Sequence, residues 1–267
     1  MFIDPSWVIV IVSSSLAFSA LSPIITARRL NFFASSLPHS ALLSVSLGYL
    51  ASYLLKGDPA FWAILISVPL SYLQTFLIQR GVDENTATSV FVAFTTSASV
   101  ASLYYILTMF PSQVSLWSYI LGDPLLVAWE DVVKAAIISL TLTALCILIY
   151  EKEVMIGVDR EYAQLNGINV RFHDYLVITL LTVASVSLLR IVGFVIEHVV
   201  MLLPSAIALT VARNSHEMLW ISIASALLSG ILGLFVAVAV NLAPSAAFGL
   251  VLVTIYLVSL YTSGDRG

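Results

Sequence analysis

His39, Glu197 and His198 are the side chains best suited to chemistry in this chain, because all three lie inside stretches that are otherwise apolar. Glu197 and His198 stand side by side in the run from Ile191 to Ala212. An ionisable group at membrane depth costs at least about 2 to 3 kcal/mol on insertion scales, so it persists where it faces a partner, a cavity or a transported ion. Imidazole nitrogen and carboxylate oxygen are ligands that borderline divalent ions such as zinc and manganese accept. His39 follows Pro38 near the start of a second apolar segment, and Ser35 lies one turn earlier. Pro38 leaves a carbonyl without its helical donor, which is tolerated where neighbouring groups or a cavity satisfy it; Ser35, Pro38 and His39 therefore suggest a polar pocket. Two readings stay open for these groups: a metal or proton pathway, or a structural polar pair. Adjacent helical residues point about 100° apart. Glu197 and His198 therefore face one axis together only if the helix is irregular, and Pro204 is the expected source of that irregularity.

The elements that position these groups must be membrane helices. The chain has 267 residues, 60% of them hydrophobic and 10% charged, against about 25% charged in a soluble domain. Its mean hydropathy is +1.03. Apolar segments of about 20 residues recur along the length without the ten-residue alternation of a barrel, so helices satisfy the backbone in lipid. The fold class is all-α, a polytopic transmembrane helical bundle of eight or nine helices. The spans are expected at 6–27, 34–55, 60–79, 87–109, 131–150, 174–190, 191–212, 217–240 and 246–262, the count falling to eight if 191–212 does not cross. The first segment lacks the basic start of a secretory signal and is expected to be retained. With the amino terminus outside, Arg28, Arg29, Arg80, Lys152, Arg160, Arg171, Arg213 and Arg266 fall on the cytoplasmic side, as the positive-inside bias requires.

Two connections are long. Phe110 to Asp131 carries Trp117, Tyr119 and Trp129 and no Lys or Arg, which reads as an outer interfacial loop. Glu151 to Asp174 is expected on the cytoplasmic side, where an Asp159 N-cap, the run Arg160 to Asn166 and a stop at Gly167 outline a helix of about two turns. So short a helix must be held by packing. Ser222, Ser225, Ser229 and Gly233 recur at helical spacing, as do Thr88, Thr95, Ser99 and Ser102. Close helix packing explains both rows, with Thr95 and Ser99 also candidates to line a pathway.

Several classes are excluded. No HExxH motif and no P-loop glycines with GK[ST] occur, so neither zinc hydrolysis nor nucleotide binding by those routes belongs to this chain. The single cysteine, Cys146, forms no intrachain disulfide and reads as a small core residue. Asn214 and Glu217 have capping-box spacing, which accounts for His216-Glu217. The net charge of -4, without a basic block, points away from nucleic acid.

Five stretches together form a pattern: Arg28-Arg29-Leu30 leading to Leu37-Pro38-His39-Ser40-Ala41-Leu42-Leu43; Thr86-Ala87; Leu121-Gly122 with Leu126 through Asp131; Asp159-Arg160-Glu161-Tyr162-Ala163-Gln164-Leu165-Asn166-Gly167 through Val170; and Arg190-Ile191-Val192-Gly193 through Leu203-Pro204-Ser205-Ala206. In their order and spacing, from about Ile11 to Leu260, the chain resembles the membrane permease subunits of ATP-binding-cassette importers for zinc, manganese and related metals. The resemblance implies a single permease domain over 1–267 in the plasma membrane. It implies no catalytic residues and no bound cofactor, with a divalent metal ion as transported substrate. The implied partners are a second permease copy in a homodimer, an extracellular solute-binding protein and cytoplasmic ATPase subunits. Asp159, Arg160, Glu161, Tyr162, Ala163, Leu165 and Gly167 match the family's coupling segment, through which ATPase closure would move the membrane helices as rigid bodies.

The chain also departs from the family pattern. Ala34 and Ser35 stand where the family has Gly-Asp ahead of the second-helix histidine, and Asn85 replaces an Asp before Thr86-Ala87. Glu197 and His198 occupy positions that are apolar in relatives. The expectation is that the acidic ligand has moved from one helix to another, so that His39, Glu197, His198 and Ser35 form the metal set. On that expectation Glu197→Gln abolishes transport. Two alternatives share the architecture: an importer of a chelated metal or other small solute, and a non-transporting membrane scaffold.

Overall fold

A computed structural model describes residues 4–109 and 128–264. Among the described residues the chain forms nine helices: α1 Pro5–Ala27, α2 Asn31–Leu55, α3 Pro59–Gln79, α4 Glu84–Met109, α5 Trp129–Val158, α6 Arg160–Leu165, α7 Val170–Val211, α8 Ser215–Val240 and α9 Pro244–Gly264. Seven of them, all but α2 and α6, are long and apolar enough to cross a membrane. The all-α multi-pass bundle read from the sequence is borne out. α2 falls outside that set because six serines and His39 dilute its apolar content, although its 25 residues match the others in length. The outer-loop expectation for Phe110 to Asp131 falls mostly outside the described residues; Trp129 and Asp131 belong to the first turn of α5.

The eight-or-nine ambiguity comes from one residue. α7 is a 42-residue run with a single non-helical position, Gly193, at φ 82° and ψ 163°. The chain reverses there. Before Gly193, α7 passes from Asp174, paired with Arg28 at the end of α1, to Arg190, which pairs at 3.7 Å with Asp131 at the start of α5. After it the chain returns to the Arg28 end: the Ser205 and Thr26 hydroxyls share a hydrogen bond at 2.7 Å. The Tyr150 hydroxyl, near the end of α5, donates to the Ser215 carbonyl just past α7. α7 is therefore a hairpin of two legs, 170–192 and 194–211. The boundary expected at 190/191 moves to Gly193, and the irregularity expected at Pro204 is there too. Pro204 is buried within a helix that continues through it. Gly193 wins because its backbone angles lie in a region open essentially to glycine alone.

α7 is the centre of the bundle, packed against α1, α2, α3, α5, α8 and α9. α1 and α7 are mostly buried, as helices apolar all round should be. α3 and α4 lie at the edge and leave Phe76, Phe94 and Tyr104 exposed. The small-residue rows do pack. Ser222, Ser225 and Ser229 are buried, and a Cβ on Gly233 would lie 2.6 Å from the Phe248 Cα of α9. Cys146 is fully buried and free.

The connection expected at Glu151 to Asp174 is largely helical. α5 runs on to Val158, and α7 begins at Val170. The charges at Glu151, Lys152 and Glu153 end the apolar stretch without ending the helix, because Glu153 finds buried partners.

Candidate functional site

His39, from α2, and His198, from the returning leg of α7, meet as two half-buried rings beside α4. Their ring centroids are 5.6 Å apart, at an interplanar angle of 86°. Phe194, one turn before His198, touches both rings, at 4.9 Å from His39 and 4.7 Å from His198. His39 Nδ1 shares a hydrogen bond at 3.0 Å with Thr96 Oγ1 of α4. His198 lies beside the backbone carbonyl of Ser35, and its buried Nδ1 has no hydrogen-bond partner. The Gly193 reversal makes this meeting possible, because it turns the chain back beside α2 instead of carrying it past.

The remaining expected site residues go elsewhere. Glu197 is fully buried and accepts a hydrogen bond from the Ser185 hydroxyl of the outgoing α7 leg, while its Oε2 has no partner. The 100° step between neighbours thus sends His198 toward α2 and Glu197 back into the hairpin. The Ser35 hydroxyl donates to the Phe32 carbonyl of its own helix, so Ser35 offers its neighbour a carbonyl and not a hydroxyl. Thr95 and Ser99 are buried and bond to carbonyls within α4. Their row is turned toward α2 and α3, where Thr88 accepts from Gln74 and Ser102 meets Ser46. Thr96, next to Thr95, is the α4 residue that touches His39. Among the described residues no group of three or more His, Cys, Asp and Glu side chains is arranged to hold a metal ion.

A cavity of about 180 Å³ opens at the Arg190 end, lined by Tyr49, Asp58, Asp131, Lys134, Ser187 and Arg190 with aliphatic neighbours. An apolar cluster of Ala41, Ala63, Val186 and Leu189 packs with Val45 and Ile64, which line this cavity, and with Phe194, which touches the histidines.

At the other end the chain holds a buried charge network. Arg28, the C-cap of α1, is 5% exposed and pairs with Glu153 of α5, 0% exposed, and with Asp174 of α7. Glu153 Oε1 also meets His173 Nδ1 at 2.6 Å, and Asp174 Oδ2 meets Arg160 Nη2 of α6 at 2.6 Å. Two carboxylates face two guanidinium groups, and the His173 ring joins the set through Glu153. Removing one member of such a buried set leaves an uncompensated charge and costs roughly 3 to 5 kcal/mol. Glu153, His173 and Asp174 were not singled out in the sequence. Their signal was polar residues persisting where apolar runs begin and end.

α6 forms as its sequence requires. The Asp159 side chain accepts from the Tyr162 amide at 2.9 Å, and Gly167 takes φ 80° after the last turn. Ala163 is buried against Ile156 and Val170. Tyr162 and Leu165 project outward, Leu165 at 87% exposure.

Comparison with known proteins agrees with this architecture. The model of the ABC 3 transport family matches residues 1–263. The manganese transport system membrane protein MntC of Listeria innocua is 23% identical over 256 residues, covering 96% of this chain and 89% of its own. The probable iron transport system membrane protein of Haemophilus influenzae is 22% identical over 94% of this chain and 90% of its own. The high-affinity zinc uptake system membrane protein ZnuB of Buchnera aphidicola is 23% identical over 85% and 84%. Among solved structures, PsaBC from Streptococcus pneumoniae in complex with Fab aligns with a TM-score of 0.83 over 95% of this chain and 89% of that one, at 20% identity, which shows a common fold. The resemblance carried by the five sequence stretches is borne out, and with its helices and its family pattern agreeing over nearly the whole length, this chain belongs to the ABC 3 transport family.

Proposed function

We propose that the chain is the permease subunit of an ATP-driven importer that moves a divalent transition metal, such as manganese, zinc or iron, across the plasma membrane. The observation that carries this reading is the His39–His198 pair, two imidazoles brought together inside a membrane bundle by a chain reversal. The names of the relatives support the substrate class. His39 and His198 are the metal ligands of the proposal. The Ser35 carbonyl stands beside them, and Glu197 braces the hairpin that carries His198. Two imidazoles hold a divalent ion weakly, which suits a pathway the ion must also leave. The apolar cluster around Phe194 and Leu189 acts as the closed gate toward the Arg190 face, and alternating access requires it to part.

The energy source is a separate ATPase that docks on the exposed Tyr162 and Leu165 face of α6. The Arg28 face is then cytoplasmic, and the opposite face receives the ion from a solute-binding protein. A second copy of the permease completes the pathway, with His39 half-exposed beside Thr96 on the exposed side of α4. The test is uptake of manganese, zinc and iron by vesicles containing the permease and its ATPase. The wild type is expected to move at least one of them, and His39→Ala to abolish that movement in a folded complex. Unchanged uptake in the variant would overturn the assignment of the pair.

A further inference from the structure

The charge network at the inner end touches every moving part the proposed mechanism needs. α6 is tied to the bundle by the packing of Ala163 and by the Arg160–Asp174 ion pair. Asp174 is shared: one oxygen takes Arg160, the other takes Arg28. Arg28 in turn holds Glu153 in a site closed to water, at 5% and 0% exposure. The same end of α1 also grips the returning leg of α7. Thr26 bonds the Ser205 hydroxyl, and the Ser205 amide donates to Ser22 Oγ at 3.1 Å. A Cβ on Gly157 would lie 2.2 Å from the Ala27 carbonyl oxygen, so α5 and α1 are in backbone contact at this point. The last turn of α1 is therefore a clamp on α5 and on both legs of α7, and Arg160 is the only charged side chain of α6 in an ion pair among the described residues.

We propose that Arg28 and Asp174 are positioning residues forming the joint through which displacement of α6 reaches the histidine pair. This inference rests on the transport reading above and names how it is regulated. A push on α6 is passed by Arg160 to Asp174, in the second turn of α7. The outgoing leg of 23 residues is a rod of about 33 Å, ending at Gly193, beyond which Phe194 and His198 hang. Arg28 keeps the foot of that rod in register with α1, which anchors the returning leg at Ser205. Rocking the rod against the clamp changes the angle between the two legs at Gly193, and with it the distance from His198 to His39. Packed cores shift between discrete arrangements, which is how a small displacement at one end becomes a large one at the other. Two charged links, beside the small apolar contact of Ala163 with Ile156 and Val170, give the joint direction.

The experiment uses the permease with its ATPase in vesicles, loaded in turn with manganese, zinc and iron, and reads metal moved per ATP hydrolysed. Asp174→Asn keeps the shape and weakens both links; Arg160→Ala, at a half-exposed position, breaks only the link to α6 and leaves the buried pair intact. Each is expected to assemble with the ATPase and hydrolyse ATP while the metal-to-ATP ratio falls by a factor of about 2 to 30, the range of coupling energies carried by intermediate residues. Arg160→Lys keeps the charge and restores the ratio. A role confined to holding the fold would lower both activities together and leave their ratio unchanged, and that result in both variants overturns the joint. A wild-type complex that hydrolyses ATP but moves no metal overturns the transport reading and the joint with it.

Discussion

Replacing Gly193 with alanine tests the structural origin of the histidine pair. At φ 82° and ψ 163° the residue sits in a region essentially reserved for glycine, and a side chain held there costs about 1 to 3 kcal/mol. For a chain of this size each kcal/mol lowers the melting temperature by about 2 to 4 °C, so the variant is expected to melt roughly 2 to 12 °C below wild type. Asparagine helps at left-handed helical positions but not at ψ near 163°, so Gly193→Asn is expected to be as damaging as Gly193→Ala. That comparison separates the reversal from an ordinary helix cap. The assay is thermal unfolding of purified permease in detergent, followed by circular dichroism. Metal uptake is measured below the lower melting point, where the displaced His198 no longer faces His39. Alanine and asparagine variants that melt within a degree of wild type would refute the backbone reading of the hairpin.

Three other outcomes follow from the geometry. Gly157→Ala forces α1 and α5 apart, because the Cβ would lie 2.2 Å and 2.7 Å from the Ala27 carbonyl oxygen and carbon; backbone cannot rotate away, so unfolding measurements should show a loss of about 1 to 3 kcal/mol or more. Glu197→Gln retains an oxygen for the Ser185 hydroxyl and is expected to keep both uptake and melting temperature. Uptake lost in a folded Glu197→Gln complex would place that carboxylate on the metal. Imidazole binds metal only when neutral, so uptake should weaken as the pH falls and the histidines take up protons. A profile that stays flat once the ATPase's own pH dependence is divided out would remove histidine from the site.

Much of this protein was legible because bilayer physics leaves few solutions. Long apolar runs with rare charges must be helices, and the spans read at 6–27 and 60–79 lie within a residue of α1 and α3. α6 was readable to within a residue, Arg160 to Asn166 being expected and Arg160–Leu165 found, since Asp159 and Gly167 mark its ends by local backbone chemistry that needs no neighbours. The small-residue rows at Ser222 and Thr95 were readable as packing because helical spacing fixes which side chains share a face. His39 and His198 could be singled out by type and depth alone.

The partners of those residues were not readable, because contact between distant segments depends on how helices turn about their axes and where the chain reverses. Neighbours in sequence separated completely: His198 went to His39, and Glu197 to Ser185. Thr95 and Thr96 parted in the same way, one into a packed interface and the other onto the histidine. The buried network of Arg28, Glu153, His173 and Asp174 draws on three helices and could be seen only when their ends met. The sequence by itself determined an all-α membrane bundle, a short capped helix at one end and histidines at depth, since hydropathy and capping act locally. Only the tertiary structure decided that a single glycine folds α7 back on itself, because a backbone angle near 82° leaves no mark in composition until the legs on either side are seen to run in opposite directions.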